Sequence, residues 1–326
     1  MSKSPIIIGT RGSALALAQA NMILARCRTA FPALAFELKI IKTTGDKLQS
    51  ASMAQPGDTL PKGLFTKELE VALVNGQADL AVHSLKDLPT DLPGGLMLAA
   101  TPERADVRDV LIYRAAGQAS DSKARRGFPP HMALKDFPNG ATIATSSTRR
   151  KAQLQAARPD LKIVEIRGNV ATRMKKVAEQ PELDATILAL AGIIRLNFAM
   201  AADGTLHGHA VPAGLLATVL PVDGMLPCAG QAAIGIEIRT NDERSANICE
   251  RLNHGDTFRC VTAERAFLNG MGGGCQSPVA AYAEILGTRI TMRAISFRDG
   301  PGRLATGNRP VAEAAQLGEQ LAAELR

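Results

Sequence analysis

The sequence predicts an α/β protein with two similar domains around a cleft, followed by a smaller α+β domain at the carboxyl end. Short apolar strand patterns alternate with helix patterns through the first two thirds of the chain, as in mainly parallel sheets. A run of apolar residues, a threonine, an arginine and a helix follow one another, with small polar residues nearby, after residue 6 and again after residue 141. Such a repeated order indicates two similarly folded units with a cleft between them, and a cleft is a common place for a ligand.

The first series begins with a run of isoleucines and a turn into a helix that Ser13 is suited to cap. The start of a helix offers free backbone N–H groups to an anion, and Arg11 at the same place is suited to bind a carboxylate. The alternative is an ordinary cap beside a surface arginine. A strand pattern follows at 36–42, and the polar stretch 43–61 predicts a long loop before a helix at 66–75.

The stretch from Ala78 to Pro89 is the one around which the first domain is expected to be organised. Its apolar part is too short for a helix and precedes polar residues and a proline, which is typical of a buried strand that ends there. Open α/β sheets bind ligands at that end of their strands. The polar residues there are His83, Ser84, Lys86 and Asp87. A carboxylate beside an ammonium group and near an imidazole can exchange protons with a ligand and stabilise a cation, whereas the alternative is a capped turn with a solvated Lys–Asp pair.

The second series places arginines at predicted junctions between strands and helices. Its strand patterns cover 110–113, 141–145, 161–166 and 184–190. Its arginines are Arg149, Arg150, Arg167, Arg173 and Arg195, and the first half of the chain adds Arg11, Lys86 and Arg104. A single arginine on a helix is usually solvated, but several guanidinium groups and helix N-termini facing one cleft would bind a ligand with many carboxylates.

A strand pattern at 233–238, after a hinge-like stretch at 227–231, predicts that the chain returns to the first domain. Two crossings between domains permit hinge closure on a ligand. We therefore expect the first domain over residues 1–105 and 230–250, the second over 106–229, and the third over 251–326.

The last part of the chain is predicted to be α+β. Helix patterns lie near 246–252, 262–268 and 311–325, and strand patterns at 279–285 and 289–296. Three glycines precede Cys275, so its thiol is expected on an open loop. It is either a reactive or attached group, or a small buried residue like the other four cysteines.

Composition narrows the class of ligand. A net charge of +7 favours an anionic partner such as a polycarboxylate, a phosphate compound or nucleic acid. Aromatic residues make up only 3% and tryptophan is absent, so stacking surfaces for single-stranded nucleic acid are not expected. The five cysteines lack close spacing, and His207 and His209 lack a third ligand, so we expect no disulfide framework and no metal. Without a signal peptide or a membrane-length apolar run, the chain is expected in the reducing cytoplasm with no membrane partner.

Six motifs, in this order, resemble the porphobilinogen deaminase (hydroxymethylbilane synthase) family. They cover 9–17, 62–70, 81–89, 145–150, 167–173 and 273–276. The His-Ser-x-Lys-Asp-x-Pro and Gly-Gly-Cys-Gln motifs are highly specific together. The resemblance extends from about residue 6 to about residue 285.

The resemblance implies a transferase that joins four porphobilinogen molecules head to tail, with loss of ammonia, into linear hydroxymethylbilane for tetrapyrrole and heme biosynthesis. It implies a dipyrromethane cofactor attached by a thioether to a loop cysteine, here Cys275. It implies that Asp87 is catalytic: its carboxyl group assists deamination, stabilises cationic pyrrole intermediates and directs proton removal. Two domains similar to periplasmic binding proteins, a third domain with the cofactor loop, and a monomer are also implied.

Carried over position by position, the resemblance implies a set of binding residues. The expected carboxylate-binding cations are Arg11, Lys86, Arg149, Arg150, Arg167, Arg173 and Arg195, and the charge pattern adds Arg104. Hydroxyl or backbone donors are expected from Ser13, Thr145, Ser146 and Ser147. The substrate end of the site is expected at Lys62, Phe65, His83 and Ser84. Each porphobilinogen carries an acetate and a propionate, which accounts for a basic cleft.

The sequence departs from the family pattern at a few positions. Ala232 stands where the family commonly has glycine, so either the backbone there is ordinary or the hinge is altered. Thr148 stands where leucine is usual, and the loop between residues 46 and 62 is slightly longer and less charged. None of these differences touches Asp87 or Cys275.

Two other interpretations of the chain remain open at this point. A non-catalytic cytoplasmic anion-binding or sensor protein could have the same two-domain cleft, because a fold does not imply a function. Such a binder needs neither Asp87 in its motif nor the glycines before Cys275. A nucleic-acid binder is favoured only by net charge and lacks a recognisable reading motif; steep salt dependence on a polyanion resin would support it.

Overall fold

The computed structural model of the chain describes residues 4–45, 63–117, 126–272, 274 and 277–326. The strands are β1 (Ile6–Thr10), β2 (Phe36–Ile40), β3 (Leu80–Ser84), β4 (Leu96–Ala100), β5 (Asp109–Arg114), β6 (Thr142–Ala144), β7 (Lys162–Val164), β8 (Ala185–Ala189), β9 (Ala199–Met200), β10 (Leu206–His207), β11 (Leu215–Val219), β12 (Ile234–Arg239), β13 (Val279–Leu286), β14 (Arg289–Ser296) and β15 (Arg303–Pro310). The α-helices of the described residues are α1 (Ala14–Ala30), α2 (Lys67–Val74), α3 (Thr148–Ala157), α4 (Val170–Glu179), α5 (Leu190–Arg195), α6 (Glu243–Leu252), α7 (Gly255–Gly270) and α8 (Ala314–Leu325). Short 3₁₀ turns cover Leu85–Asp87, Leu134–Asp136 and Val311–Glu313.

The first domain is built on a five-stranded sheet in the order β2-β1-β3-β12-β4. β1 runs parallel to β2 and β3, whereas β12 lies antiparallel between β3 and β4. The helix α1 starts close behind β1, because the Ser13 hydroxyl caps it by accepting a hydrogen bond from the Ala16 N–H at 3.3 Å. Ile23 of α1 packs on Ile8 and Val82 of the sheet, so apolar burial holds the helix in place. The carboxyl ends of β1 and β3 therefore lie side by side.

The second domain contains a five-stranded sheet in the order β11-β5-β8-β6-β7. β6 is parallel to β7 and β8, and β5 is antiparallel to β8 and β11. One side of its core is aromatic: the Tyr113 ring meets Phe137 and Phe128 edge to face, at centroid distances of 5.7 and 6.2 Å. The Tyr113 hydroxyl accepts a hydrogen bond from the Met132 N–H at 2.9 Å, so this buried polar group is satisfied.

The third domain is an antiparallel sheet, β13-β14-β15, covered by α7 and α8. The two helices pack backbone to backbone at Gly318, where a Cβ atom would lie 2.1 Å from the Ala263 carbonyl oxygen. Glu264 of α7 joins the third domain to both crossings, the two segments that connect the first and second domains, at Arg104 and at Gly230. Its carboxylate accepts hydrogen bonds from the Arg104 guanidinium at 2.7 and 2.9 Å, from the Gly230 N–H at 2.8 Å, and from the Ala283 N–H at 2.9 Å.

The predicted fold class, two α/β domains and a smaller α+β domain, is confirmed, and the predicted return strand is β12. The first sheet is mixed rather than mainly parallel, because β12 enters it antiparallel. The strands β4, β11 and β15 were not predicted, and the last helix starts at Ala314 because a 3₁₀ turn precedes it. Most of the predicted loop at 43–61 lies outside the described residues. Within the described ranges, no helix combines the length and apolar character needed to cross a membrane.

Ala232 occupies the left-handed region of the backbone map, with φ +67°. Of the two sequence interpretations, an ordinary backbone here is therefore wrong. A Cβ atom in this conformation costs about 1–2 kcal/mol. Ala232 lies in the second crossing, and its carbonyl oxygen accepts a hydrogen bond from Arg195 at 2.5 Å, so tertiary contacts hold the strained residue in place.

We expect an Ala232→Gly variant to be as stable as the wild-type protein or up to about 1 kcal/mol more stable, because glycine adopts this φ without strain. Ala233→Gly is the matched control, since Ala233 is the adjacent buried alanine and has no positive φ. The control should lose about 1 kcal/mol through its missing methyl group and added chain entropy. Urea unfolding measures both variants. Equal destabilisation in the two would contradict the strain at Ala232.

Candidate active site

The ends of β1 and β3 form one wall of a pocket of about 400 Å³ that is partly open to solvent. Because β1 and β3 are parallel neighbours, residues after Thr10 and after Val82 meet at the same edge of the sheet. The pocket is lined by Arg11, Ser13, Leu15, Ala16, Gln19, Phe65, Thr66, Val82, His83, Ser84 and Asp87. The structure thus brings together six of the residues predicted from the sequence: Arg11, Ser13, Phe65, His83, Ser84 and Asp87.

Asp87 lies on the 3₁₀ turn that follows β3. Contacts with residues 230 and 233 hold the backbone of this turn in place. Leu85 is buried, and its N–H donates to the Ala233 carbonyl oxygen at 3.0 Å. Gly230 approaches the same turn so closely that a Cβ atom would lie 3.3 Å from the Lys86 nitrogen, and its φ of +71° also suits glycine. The side chain of Asp87 is therefore presented to the pocket from an immobilised backbone.

Arg11 and Phe65 cover one side of the pocket together. The Arg11 guanidinium carbon lies 4.2 Å from the centre of the Phe65 ring, which is a cation–π contact. A guanidinium stacked on a ring in this way can donate from the N–H groups at its edge to a carboxylate. The predicted place of Phe65 at the substrate end remains a prediction.

Gln19 and Thr66 line the pocket but were missed by the sequence analysis. The Gln19 side-chain amide and the Ser84 hydroxyl are hydrogen-bonded, with Nε2 at 2.9 Å and Oε1 at 3.0 Å from Oγ. Gln19 is 2% exposed, so this bond holds Ser84 in a fixed position. A glutamine within an otherwise apolar stretch of α1 was the signal that could have revealed it.

The hydroxyl groups of the second domain that were predicted as ligand donors form hydrogen bonds within that domain, close to the start of α3. Ser147 caps α3 by accepting from the Arg150 N–H at 3.4 Å, and the Thr145 hydroxyl accepts from the Ser147 N–H at 3.2 Å. The Ser146 hydroxyl donates to the Ile166 carbonyl at 2.7 Å and accepts from its N–H at 3.0 Å. Their predicted contacts with a ligand remain predictions.

Arg149 and Arg150 share one buried partner, Asp109. The two carboxylate oxygens of Asp109 each accept from one guanidinium at 2.8 Å, and the Gln231 amide donates to the same carboxylate at 2.9 Å. Burial by itself would raise the pKa of Asp109, but the charges of both arginines outweigh that effect and hold it well below its usual range. The Nε atoms of both arginines are buried without a hydrogen-bond partner among the described residues.

Arg173, Arg195 and Arg167 occupy different environments. Burial, reinforced by the charge of Arg150, lowers the pKa of Arg173 to about 10, although the nearby Asp87 carboxylate opposes the shift. The structure therefore brings Arg173 from the second domain close to Asp87 of the first. Burial also lowers the pKa of Arg195 to about 10, so both guanidinium groups remain charged at neutral pH. Arg167 is half-exposed, 3.8 Å from Glu165.

The last predicted site residues to be placed are Arg104, Lys86, Lys62 and Cys275. The Arg104 guanidinium binds the buried carboxylate of Glu264, so its carboxylate partner in this structure is internal. Lys86 lies beside Asp87 on the 3₁₀ turn and is partly buried. Lys62 and Cys275 lie outside the described residues.

The structure also places three carboxylates that sequence reasoning did not single out. Asp109 and Glu264 are buried at the crossings, and Glu237 is buried in β12 next to His83. Two of them stand in apolar strand patterns: Asp109 opens the run of β5, and Glu237 lies inside the run from 234 to 238. A charged residue inside a buried strand signals an internal partner, because an unpaired buried charge is costly.

Comparison with solved structures returns domains of distant sequence. The effector-binding domain of BenM with benzoate is 17% identical, with a TM-score of 0.41, and the match covers 77% of this chain and 91% of that one. The periplasmic sulfonate-binding protein SsuA from Methylobacillus flagellatus is 12% identical, with a TM-score of 0.39, and the match covers 81% and 67%.

Family models and curated relatives match nearly the whole chain. The model of the porphobilinogen deaminase dipyromethane cofactor binding domain matches residues 6–247, and that of the porphobilinogen deaminase C-terminal domain matches 258–326. The porphobilinogen deaminase of Syntrophomonas wolfei is 41% identical over 98% of this chain and 94% of its own length. Those of Geobacter metallireducens and Paracoccus denitrificans are 41% and 40% identical, over 100% and 99% of this chain and 92% and 94% of their own lengths. The chain belongs to the porphobilinogen deaminase family.

Proposed function

We propose that the chain joins four porphobilinogen molecules head to tail, with release of ammonia, to give the linear tetrapyrrole hydroxymethylbilane. Family membership supports this transferase activity. The structural observation that carries it is the place of Asp87: its carboxylate lines the pocket of the first domain and lies near Arg173 of the second. A carboxylate there stabilises the positive charge that develops when ammonia leaves the substrate.

The cations around the pocket have the complementary task of binding acetate and propionate groups. Arg11 is placed for this by its stacking on Phe65, and Arg173 by its partly buried guanidinium. We assign the same task to Lys86, Arg149, Arg150, Arg167 and Arg195, with Lys62, Phe65, His83 and Ser84 at the substrate end. Ser13, Thr145, Ser146 and Ser147 are assigned as donors. The guanidinium of Arg104 is bound to Glu264, so we assign Arg104 the task of holding together the two segments that connect the first and second domains.

The residues of the chain fit a dipyrromethane cofactor. A group with several carboxylates needs cations with unused N–H groups, and the Nε atoms of Arg149, Arg150 and Arg195 are buried without a partner among the described residues. When bound, the cofactor supplies the free pyrrole carbon to which the first substrate unit is joined. We propose that Cys275 holds it by a thioether, because Cys275 follows a glycine run directly behind the end of α7.

A Cys275→Ser variant should be purified without covalent dipyrromethane, since a serine oxygen does not replace the thiolate as a nucleophile. The intact mass of the wild-type protein should exceed its sequence mass by two linked pyrrole units, located on the peptide around Cys275. Cys228→Ser is the matched control, because Cys228 is partly buried in the described structure and should not affect loading. A loaded Cys275→Ser protein would remove Cys275 from this role.

The activity itself is tested by incubating the purified protein with porphobilinogen and measuring pyrrole consumption together with ammonia release. Equal amounts of both, and a linear tetrapyrrole product, are expected. Binding of porphobilinogen without ammonia release would instead support the non-catalytic anion-binding protein, which family membership does not favour. We further propose a cytoplasmic monomer with no nucleic-acid or membrane partner. The proposed domain boundaries are 1–105 with 230–250, 106–229, and 251–326.

A further inference from the structure

Behind the wall of the pocket lies a buried group of three titratable side chains. Nε2 of His83 is 2.9 Å from Oε2 of Glu237, and Glu70 of α2 is close enough to both to interact electrostatically. The exposed fractions are 5% for His83, 0% for Glu237 and 8% for Glu70. Two carboxyl groups and one imidazole therefore share a largely buried site.

The sheet holds His83 and Glu237 in register. β3 and β12 are antiparallel, and His83 is paired with Gly235, so Glu237 projects from the same face two residues along. Gly235 cannot be replaced without conflict, because a Cβ atom there would lie 2.9 Å from Leu85 Cδ1. The pairing of β3 with β12 therefore sets the contact between the imidazole and the carboxylate, and β3 also leads into the turn that carries Asp87.

The polar atoms of this group are not all satisfied. Oε1 of Glu237 and Oε1 of Glu70 are buried with no hydrogen-bond partner in the part of the chain that the structure describes. Burial raises the pKa of Glu70, and the negative charge of Glu237 adds to that effect. Unsatisfied buried carboxylates are costly and uncommon in a purely structural core, and they are typical of functional sites.

The contact with Glu237 decides which ring nitrogen of His83 is basic. An ionised carboxylate only accepts hydrogen bonds, so a neutral His83 carries its proton on Nε2 and keeps a lone pair on Nδ1. His83 also lines the pocket, together with Ser84 and Asp87. A histidine held at one nitrogen by a buried carboxylate is the arrangement that prepares the other nitrogen to accept a proton.

We propose that His83, oriented by Glu237, is a second acid–base residue of the pocket beside Asp87. This inference rests on the proposed function. The substrate amine reacts in its ammonium form, so when the C–N bond breaks, ammonia leaves with the electron pair of that bond. After the new C–C bond has formed, the C–H bond at the reacting pyrrole carbon breaks, its electron pair returns to the ring, and the proton passes to Nδ1 of His83. The imidazolium then gives this proton to ammonia, which departs as NH₄⁺.

The charges around His83 favour such an exchange. Glu237 from β12 and Glu70 from α2 interact with His83, and Arg11 and Asp87 line the same pocket. Glu68 of α2 lies close to Glu70, and Lys86 lies on the turn after β3. The helix α1 lines the pocket with the uncharged side chains of Leu15, Ala16 and Gln19. Carboxylates outnumber cations in this set, so an imidazolium is balanced once it forms. Removal of the Glu237 charge should therefore move the acid limb of the kcat profile to lower pH.

Two variants and one control test the role of His83. His83→Gln should lower kcat by about 10²–10⁴-fold with KM changed less than about threefold, because general acid–base catalysis contributes that much to the chemical step. Glu237→Gln keeps an acceptor for the ring but loses the charge, so its acid limb should move by about one pH unit. Glu37→Gln, an exposed carboxylate on β2, should match the wild-type profile. Wild-type kcat and pH profile in both test variants would overturn the proposal.

A spectroscopic signature tests the hydrogen bond between His83 and Glu237 on which this role depends. The chain has five histidines, and a buried ring N–H bound to a carboxylate gives a strongly downfield proton resonance that exchanges slowly. It should be present in the wild-type protein, absent in His83→Gln and shifted upfield in Glu237→Gln. If His83→Gln does not fold, the pH profile and the proton resonance of the nearly isosteric Glu237→Gln variant test the proposal. A wild-type protein that releases no ammonia overturns the proposed function, whereas an active wild-type protein with unaffected variants overturns only the role of His83.

Discussion

An Asp87→Asn variant should fold like the wild-type protein and convert porphobilinogen about 10²–10⁴ times more slowly. Asparagine has nearly the shape of aspartate, and the turn that carries it is held by main-chain contacts of Leu85 and by the close approach of Gly230. The neutral amide cannot balance the cation that forms in the pocket, nor the charge of Arg173 nearby. Steady-state kinetics and the free energy of unfolding are the measurements.

Asp91→Asn is the matched control for this prediction. Asp91 is an exposed carboxylate four residues further along the chain, so its loss changes the net charge equally. It should retain wild-type kcat. An Asp87→Asn protein that is folded, loaded with cofactor and as fast as the wild-type protein would rule out the catalytic role of Asp87.

An Asp109→Asn variant should lose about 3–5 kcal/mol of stability, because it leaves two buried guanidinium groups without their anion. Asp109 is fully buried and binds Arg149, Arg150 and Gln231, which belong to α3 and to the second crossing. An amide can accept from one arginine but turns its own N–H groups towards the other. Urea unfolding at pH 7 measures the loss. A change below about 1 kcal/mol would show that the pair is not a stabilising element.

Asp106→Asn is the matched control, since Asp106 also binds an arginine, Arg108, but at the surface. An exposed pair contributes about 0–1 kcal/mol, so this variant should be nearly as stable as the wild-type protein. The comparison contrasts a buried carboxylate that binds two arginines with an exposed carboxylate that binds one, so it measures the effect of burial and of the second arginine together.

The same carboxylate makes stability depend on pH. The folded-state pKa of Asp109 lies below that of the unfolded chain, which is about 4, so its contribution is fully present above that pH and is lost as the pH falls below it. Stability of the wild-type protein should therefore fall below about pH 4. The Asp109→Asn variant should show a shallower fall in the same range, which unfolding experiments between pH 2 and pH 6 would reveal.

Much of the fold could be predicted because its signals are local. The strands β1, β3, β5, β8 and β12 are short apolar runs that need only their own residues to be recognised. Ser13 was identified as a helix cap from its place before an apolar helix, and it caps α1 in the structure. The topological rule for open sheets also placed Asp87 at the carboxyl edge of the sheet, where it lines a pocket together with Arg11. The strand β15 has mainly exposed side chains, so no apolar pattern marked it.

By itself the sequence determined the fold class, the family and the residues at the ends of β1 and β3, because these depend on short apolar patterns and contiguous motifs. Only the tertiary structure decided which charges pair. Arg104 meets Glu264 across 160 positions and His83 meets Glu237 across 154, and no local pattern selects such partners. It also decided that Ala232 has a positive φ, since that backbone conformation is imposed by packing between domains and not by the alanine itself.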